Sequence, residues 1–259
     1  VKQTDNNMQE RPLILVAELE GPITRGDSAE RDRLYRALAR RPNFILVYVT
    51  HRYLDSARAF QELMHLPQPH VFVTDMGASV APGRRDKSIS VVDKELGRNW
   101  PGSSEIITRL DPLDDLMEKH PLEAPRRVSF LTRDGVTTEE VLPKAQKLLD
   151  RLDVQVVADD SIHLDVLPGG VTPKRTVDRV LSWIDTDRSW EVLVVAGSRD
   201  EMRLVQEDTT AIVVGSPDDD WARAVSHDEN VHMASADGCA GIHEAIVRLG
   251  LIEPTETQQ

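Results

Sequence analysis

The stretch Leu13–Thr24, LILVAELEGPIT, decides how this chain is read. A run of apolar residues leads into two carboxylates one residue apart, Glu18 and Glu20, and then into Gly21-Pro22. An apolar run of that length, stopped by a Gly-Pro breaker, reads as a short strand buried on both faces. Carboxylates just beyond its C-terminal end stand where parallel sheets place their ligands. The plainer alternative is a solvated turn carrying two surface glutamates.

Working outward, the same texture recurs. Ser28–Arg41 has Leu34, Ala37 and Leu38 at helical spacing, and Phe44–Val49 is a second buried strand ending at Thr50-His51-Arg52. Leu54–Leu66 is helical again, and Val71–Thr74 is a third short strand. Strand, helix, strand, helix, strand is the rhythm of a parallel α/β sheet with helices on both faces. From about Ala81 the texture changes: Gly and Pro recur and the strands alternate. Arg127–Leu131, Val154–Val157 and Ile162–Val166 read as strands, the last two joined by the turn residues Asp159-Asp160-Ser161, and Val141–Leu152 as a helix. Residues 82–167 are therefore expected to form an inserted α+β domain between two parts of the core, 11–81 and 168–252. The first texture returns with a helix from Pro173 to Trp183, buried strands at Glu191–Ala196 and Thr210–Val214, a short edge strand at Val231–Ala234 and a closing helix at Ala240–Leu249. Asp218-Asp219-Asp220 reads as a solvated turn, and 1–10 and 253–259 as disordered tails.

With 31 basic against 44 acidic residues the formal net charge is −13, which disfavours nucleic acid and anionic membranes as partners. The single cysteine, Cys239, excludes an internal disulfide and a Cys-based zinc site. With no run long enough to span a membrane, the expected location is the cytoplasm.

Polar residues gather at the strand ends: Glu18 and Glu20, Thr50 and Arg52, Lys174 on the loop after the insertion, and Ser198 with Asp200. In a parallel sheet these positions share one edge. Carboxylates hold a hard divalent cation or present a nucleophile, while a hydroxyl, an arginine and a lysine hold phosphate oxygens. Phosphoryl transfer is the chemistry such a set serves.

In this order the motifs resemble the haloacid-dehalogenase (HAD) superfamily, specifically its sucrose-phosphate-phosphatase-like branch with a C2-type cap, from Pro12 to Leu249. Glu18-Leu19-Glu20-Gly21 is similar to the Asp-x-Asp-Gly-Thr first motif, and Thr50-His51-Arg52 to the Thr-Gly-Arg second. His163–Lys174 resembles the return from cap to core that delivers a lysine, and Gly197–Asp200 the Gly-Asp-x-x-x-Asp fourth motif. Asp237–Ile242 is similar to that branch near its C-terminus. The resemblance implies a Rossmann-like core, the cap at 82–167, and Mg²⁺-dependent removal of phosphate from a sugar phosphate. It implies Glu18 and Glu20 at the nucleophile and acid–base positions, Thr50, Arg52 and Lys174 on phosphate, and Glu18, Glu20 and Asp200 on any metal. His163, Asp165 and Trp100 on the cap are candidates to face a sugar, Trp100 equally a cap-core residue.

The departures fall on the reacting groups. Glutamate keeps the carboxylate of aspartate but moves it by more than ~1 Å, a displacement that can cost ~10²-fold. Pro22 stands where the motif has threonine, His51 where it has glycine, and Ser198 where it has a metal-binding aspartate, so Mg²⁺ binding is doubtful. The leading expectation is a pseudo-phosphatase that binds a sugar or sugar phosphate, or acts through a pathway partner such as a glycosyltransferase. The alternative is an active Mg²⁺-dependent sugar-phosphate phosphatase with a Glu-based site; a purely structural module is the third. Each residue also has a plainer role. Thr50, Ser198 and Asp200 serve as helix caps, and the glutamates pair with Lys174 or Arg199 in place of a metal.

Overall fold

The computed structural model describes residues 12–83, 89–118, 124–158, 160–187, 189–215, 219–225 and 227–253. Of the expected tails 1–10 and 253–259, all but Glu253 lie outside them, as do Asp159 of the cap turn and Asp218 of the acidic run.

The quoted run becomes β1 (Leu13–Glu18), the central strand of a seven-stranded sheet. It is followed by α1 (Ser28–Ala39), β2 (Phe44–Val49), α2 (Leu54–Leu63), β3 (Val71–Thr74) and β4 (Ser79–Pro82). The insertion contributes α3 (Ser90–Leu96), α4 (Ser103–Leu110), β5 (Leu116–Glu118), β6 (Val128–Thr132), α5 (Thr138–Leu148), β7 (Val154–Ala158) and β8 (His163–Pro168). The chain then returns through α6 (Pro173–Ile184), β9 (Glu191–Ala196), β10 (Thr210–Val213), α7 (Asp219–Val225), β11 (Val231–Met233) and α8 (Gly238–Arg248). Strand order in the large sheet is β11-β10-β9-β1-β2-β3-β4, parallel except for β4.

β1 is apolar at every position up to Glu18 because it feeds two cores. Leu13, Leu15 and Ala17 pack with Leu34, Leu38 and Ile242 on one face, while Ile14 and Val16 pack with Val177, Val180 and Leu96 on the other. Alternation at a period of two sends successive side chains to opposite faces, so a strand covered on both sides reads as continuously apolar.

The second sheet, β5-β6-β8-β7, is antiparallel throughout and covered on one face by α4 and α5 through Ile106, Leu110, Val141 and Ala145. That single covered face produces the alternation seen in sequence. Trp100 packs against this cluster, the second of its two expected roles.

Several local expectations shift. Of the acidic run, Asp219 and Asp220 open α7 instead of forming a turn. α5 begins at Thr138, three residues before the expected start, and carries Pro143 inside it. The helix expected after Asp200 is one short 3₁₀ turn, Glu201–Leu204. The helices α3 and α4 are additions to the sequence reading.

Candidate functional site

At the C-terminal ends of β1 and β2 the chain brings Glu20, Thr50 and Arg52 together. Thr50 is fully buried; its backbone N–H joins the ladder at the Val73 carbonyl and its hydroxyl accepts from the Arg52 N–H. The same hydroxyl donates to Glu20 Oε2 at 3.3 Å. Arg52 donates from Nε and Nη2 to Glu20 Oε1 at 2.9 and 2.5 Å, and from Nη1 to Ser56 at 3.0 Å. Its guanidinium lies 4.7 Å over the Phe60 ring. Two of the three groups expected to hold phosphate oxygens, Thr50 and Arg52, thus hold a carboxylate of the same chain.

Glu18 meets a different neighbour. Gly21 lacks a Cβ, and one placed there would sit 2.3 Å from Glu201 Oε1. Into that space the buried Glu201 brings its carboxylate, and its Oε2 accepts from the Gly197 N–H at 2.5 Å. Burial, then the charge of Glu201 and a hydrogen bond to it, push the Glu18 carboxyl up to about 7; Glu20 and Asp200 add to the shift. Glu201 is the site residue that sequence reading missed. The signal was present as Ser198-Arg199-Asp200-Glu201, an S-x-x-E capping pattern. Ser198 does cap, its hydroxyl accepting from the Glu201 N–H at 3.2 Å.

The remaining expected residues do not converge. Asp200 is exposed and pairs with Arg203 at 3.0 Å. Lys174 donates to the Val205 carbonyl at 2.9 Å and, among the described residues, pairs with no carboxylate. His163 is turned to Asp160, Nδ1 to Oδ2 at 2.7 Å, in the β7–β8 turn. Asp165 is buried: Arg127 Nε and Nη2 each donate to one of its oxygens at 2.8 Å, and Ser129 donates a further bond. Both Asp165 oxygens are already engaged.

The Arg127 cluster ties the second sheet to the first. Arg127 Nη1 donates to the His51 carbonyl at 2.7 Å, its guanidinium lies 4.8 Å over Tyr53, and the Tyr53 and Ser129 hydroxyls bond at 2.8 Å. Beside it Asp75 is buried with a left-handed φ of 55° and one oxygen without a hydrogen-bond partner. Its carboxyl is raised by burial, against the pull of Thr74 and Arg127.

The donor set does not suit a Mg²⁺ ion. Among the described residues no three acidic, histidine or cysteine side chains are grouped to hold a metal. Glu20 is spent on Arg52, Asp200 on Arg203, and the Ser198 hydroxyl on a backbone N–H. Among the described residues this leaves Glu18 and Glu201 facing each other, and a hard cation needs more anionic oxygen than that pair.

A mostly parallel α/β core, with a second sheet inserted after its fourth strand and polar groups gathered at its strand ends, is the architecture of the HAD-like hydrolases. Within that class the chain belongs to the sucrose-6F-phosphate phosphohydrolase family, whose model matches residues 11–250. It is 25% identical to a glucosylglycerol-phosphate synthase of Pseudomonas anguilliseptica over 93% of this chain and 31% of the relative. It is also 25% identical to the probable sucrose-phosphatase 3a of Arabidopsis thaliana, over 92% of this chain and 60% of that one. The chain therefore spans about a third and three fifths of the lengths of these relatives. The sucrose-phosphatase of Synechocystis, solved with sucrose and phosphate, superposes with a TM-score of 0.66 at 21% identity, over 93% of this chain and 98% of that one. Phosphatases of this family generally use Mg²⁺.

Proposed function

We propose that this chain is a pseudo-phosphatase of sugar-phosphate metabolism, working by binding rather than by hydrolysis. One observation carries the reading: the anion seat made by Thr50 and Arg52 is filled from within by Glu20. Arg52 turns Nε and Nη2 to one carboxylate oxygen, and Thr50 its hydroxyl to the other, the donors they would offer phosphate oxygens, so the two anions compete for one place. The nucleophile position adds to this. Glu18, buried beside Glu201 and raised to about 7, is only partly ionised at neutral pH, where an attacking carboxylate must be ionised.

The relatives supply the chemical context. One carries in its name the synthesis of a sugar phosphate ester, and the matched part is a fraction of its length. A glycosyltransferase of that kind is the partner this reading favours. A sugar or sugar phosphate is its ligand; the Synechocystis protein was solved with sucrose and phosphate.

The test is an assay of sucrose 6-phosphate and p-nitrophenyl phosphate with and without Mg²⁺. Release of phosphate is expected at the uncatalysed background. Metal-dependent turnover that disappears in Glu18→Ala overturns the proposal in favour of a Glu-based phosphatase. A companion variant, Glu20→Ala, frees Arg52 and Thr50 and is expected to raise affinity for inorganic phosphate by about tenfold or more.

A further inference from the structure

Away from the strand ends, a cavity of about 480 Å³ opens where the second sheet returns to the core. Its walls are the C-terminal end of α3, the Pro168–Val171 connection and the first turns of α6. Leu96, Val171 and the buried Thr176 form its floor. Three arginines stand around it, Arg98, Arg175 and Arg179, all exposed. Among the described residues none of the three forms an ion pair with a carboxylate; Arg175 donates to the Gly170 carbonyl at 3.0 Å. Three unpaired guanidiniums around one cavity are unusual on a chain with a net charge of −13.

Two glycines set the path of the connection beside this cavity. Gly170 takes a left-handed φ of 66°, and a Cβ on Gly169 would stand 2.1 Å from Asp153 Oδ1. Asp153 in turn accepts from Asn99 Nδ2 at 2.8 Å across the mouth. The lining thus offers two kinds of group: arginine forks for a phosphate, and the Asp153–Asn99 pair for hydroxyls. No aromatic ring lines the cavity among the described residues, so it lacks a stacking surface for a nucleobase. Its volume falls in the range of small-molecule pockets.

We infer that this cavity is a second ligand site that takes a phosphorylated sugar or polyol, the phosphate on Arg98 and Arg179 and the hydroxyls on Asp153 and Asn99. The inference stands apart from the reading of the strand-end site, because Glu20, Thr50 and Arg52 do not line the cavity. A ligand here touches α3, α6 and the connection between the sheets at once, so its binding bears on how the second sheet sits over the first.

Calorimetric titration of the full chain with glucose 6-phosphate and with inorganic phosphate tests it. Glucose 6-phosphate is expected to bind more tightly than phosphate. Arg98→Ala and Arg179→Ala are each expected to weaken it about tenfold or more. Arg40→Ala, at an exposed position at the end of α1 and away from both sites, is expected to change it less than about twofold. All three arginines are exposed, so the variants should fold, which melting curves check. No binding of either probe, equal affinity for both, or a loss that follows Arg52→Ala instead overturns the inference.

Discussion

Two arginine–carboxylate clusters in this molecule are built to one plan and set in different surroundings. Arg52 grips Glu20, lies over Phe60, and shares its partner with the hydroxyl of Thr50. Arg127 grips Asp165, lies over Tyr53, and shares its partner with the hydroxyl of Ser129. The side chains of the first pair are 35% and 37% exposed, those of the second 12% and 2%. The difference teaches what each is for. A pair that water reaches can be opened by a competing anion at little expense. A pair withdrawn from water cannot lose one member without leaving the other as an uncompensated charge. The first therefore behaves as an occupied binding seat, and the second as a fastening between the two sheets.

The largest expected effect follows from the buried pair. Asp165→Ala leaves the Arg127 guanidinium desolvated and without its carboxylate, a loss of about 3–5 kcal/mol. Arg127→Ala strands Asp165 and also removes the bond to the His51 carbonyl and the contact with Tyr53. Urea titrations followed by circular dichroism should show both variants unfolding at markedly lower denaturant. Replacing both partners by apolar residues of similar size should recover much of the loss, since the stranded charge is then gone. If single and double replacements cost the same, the cluster is not a buried pair in solution and the comparison fails.

Glu18 sharpens the comparison, being the carboxylate that meets another acid instead of an arginine. Its carboxyl stands near 7 in the fold against an ordinary 4.5. A carboxyl that holds its proton more tightly folded than unfolded stabilises the fold at low pH. That contribution is fully present below about 4.5 and is lost as pH rises through about 7. Glu18→Gln removes the titration. The variant is expected to melt a few degrees above the parent at pH 8, for a gain of ~1 kcal/mol after solvent screening of a partly exposed group, and close to it at pH 5. An equal shift at both values would mean that the Glu18 carboxyl is not raised in the fold.

How far the sequence announced all this depends on whether the relevant partner lies close along the chain or far across it. β1 was legible because burial on both faces writes itself as an unbroken apolar run. Glu20 and Arg52 were both recognised, but as separate tools for acid–base chemistry and for phosphate; that one would hold the other follows only from the parallel register of β1 and β2. Asp165 was read as a candidate to face a sugar because it lies on the inserted domain. Its true neighbours come from the antiparallel register, which sets Ser129 directly opposite and Arg127 two residues away on the same face. Arg127 carried no local signal at all. Glu201 did, through its spacing from Ser198, and was passed over in favour of the more exposed Asp200.

The smallest effect is the one that gives the comparison its meaning. In a double-mutant cycle of Glu20→Gln, Arg52→Ala and their combination, the coupling energy is expected to stay below about 1 kcal/mol. Each partner keeps other contacts, Arg52 with Ser56 and Phe60, and position 20 with Thr50, so neither is left buried and bare when the other is removed. The coupling should also fall as salt is raised, because both side chains are in reach of counterions. The Arg127–Asp165 coupling, measured the same way, should be several times larger and nearly indifferent to salt. Were the Glu20–Arg52 coupling to match it, Glu20 would be a structural strut fixed in its seat. The seat would then be closed to any anion, and Glu20→Ala would disrupt the strand ends instead of opening them to phosphate.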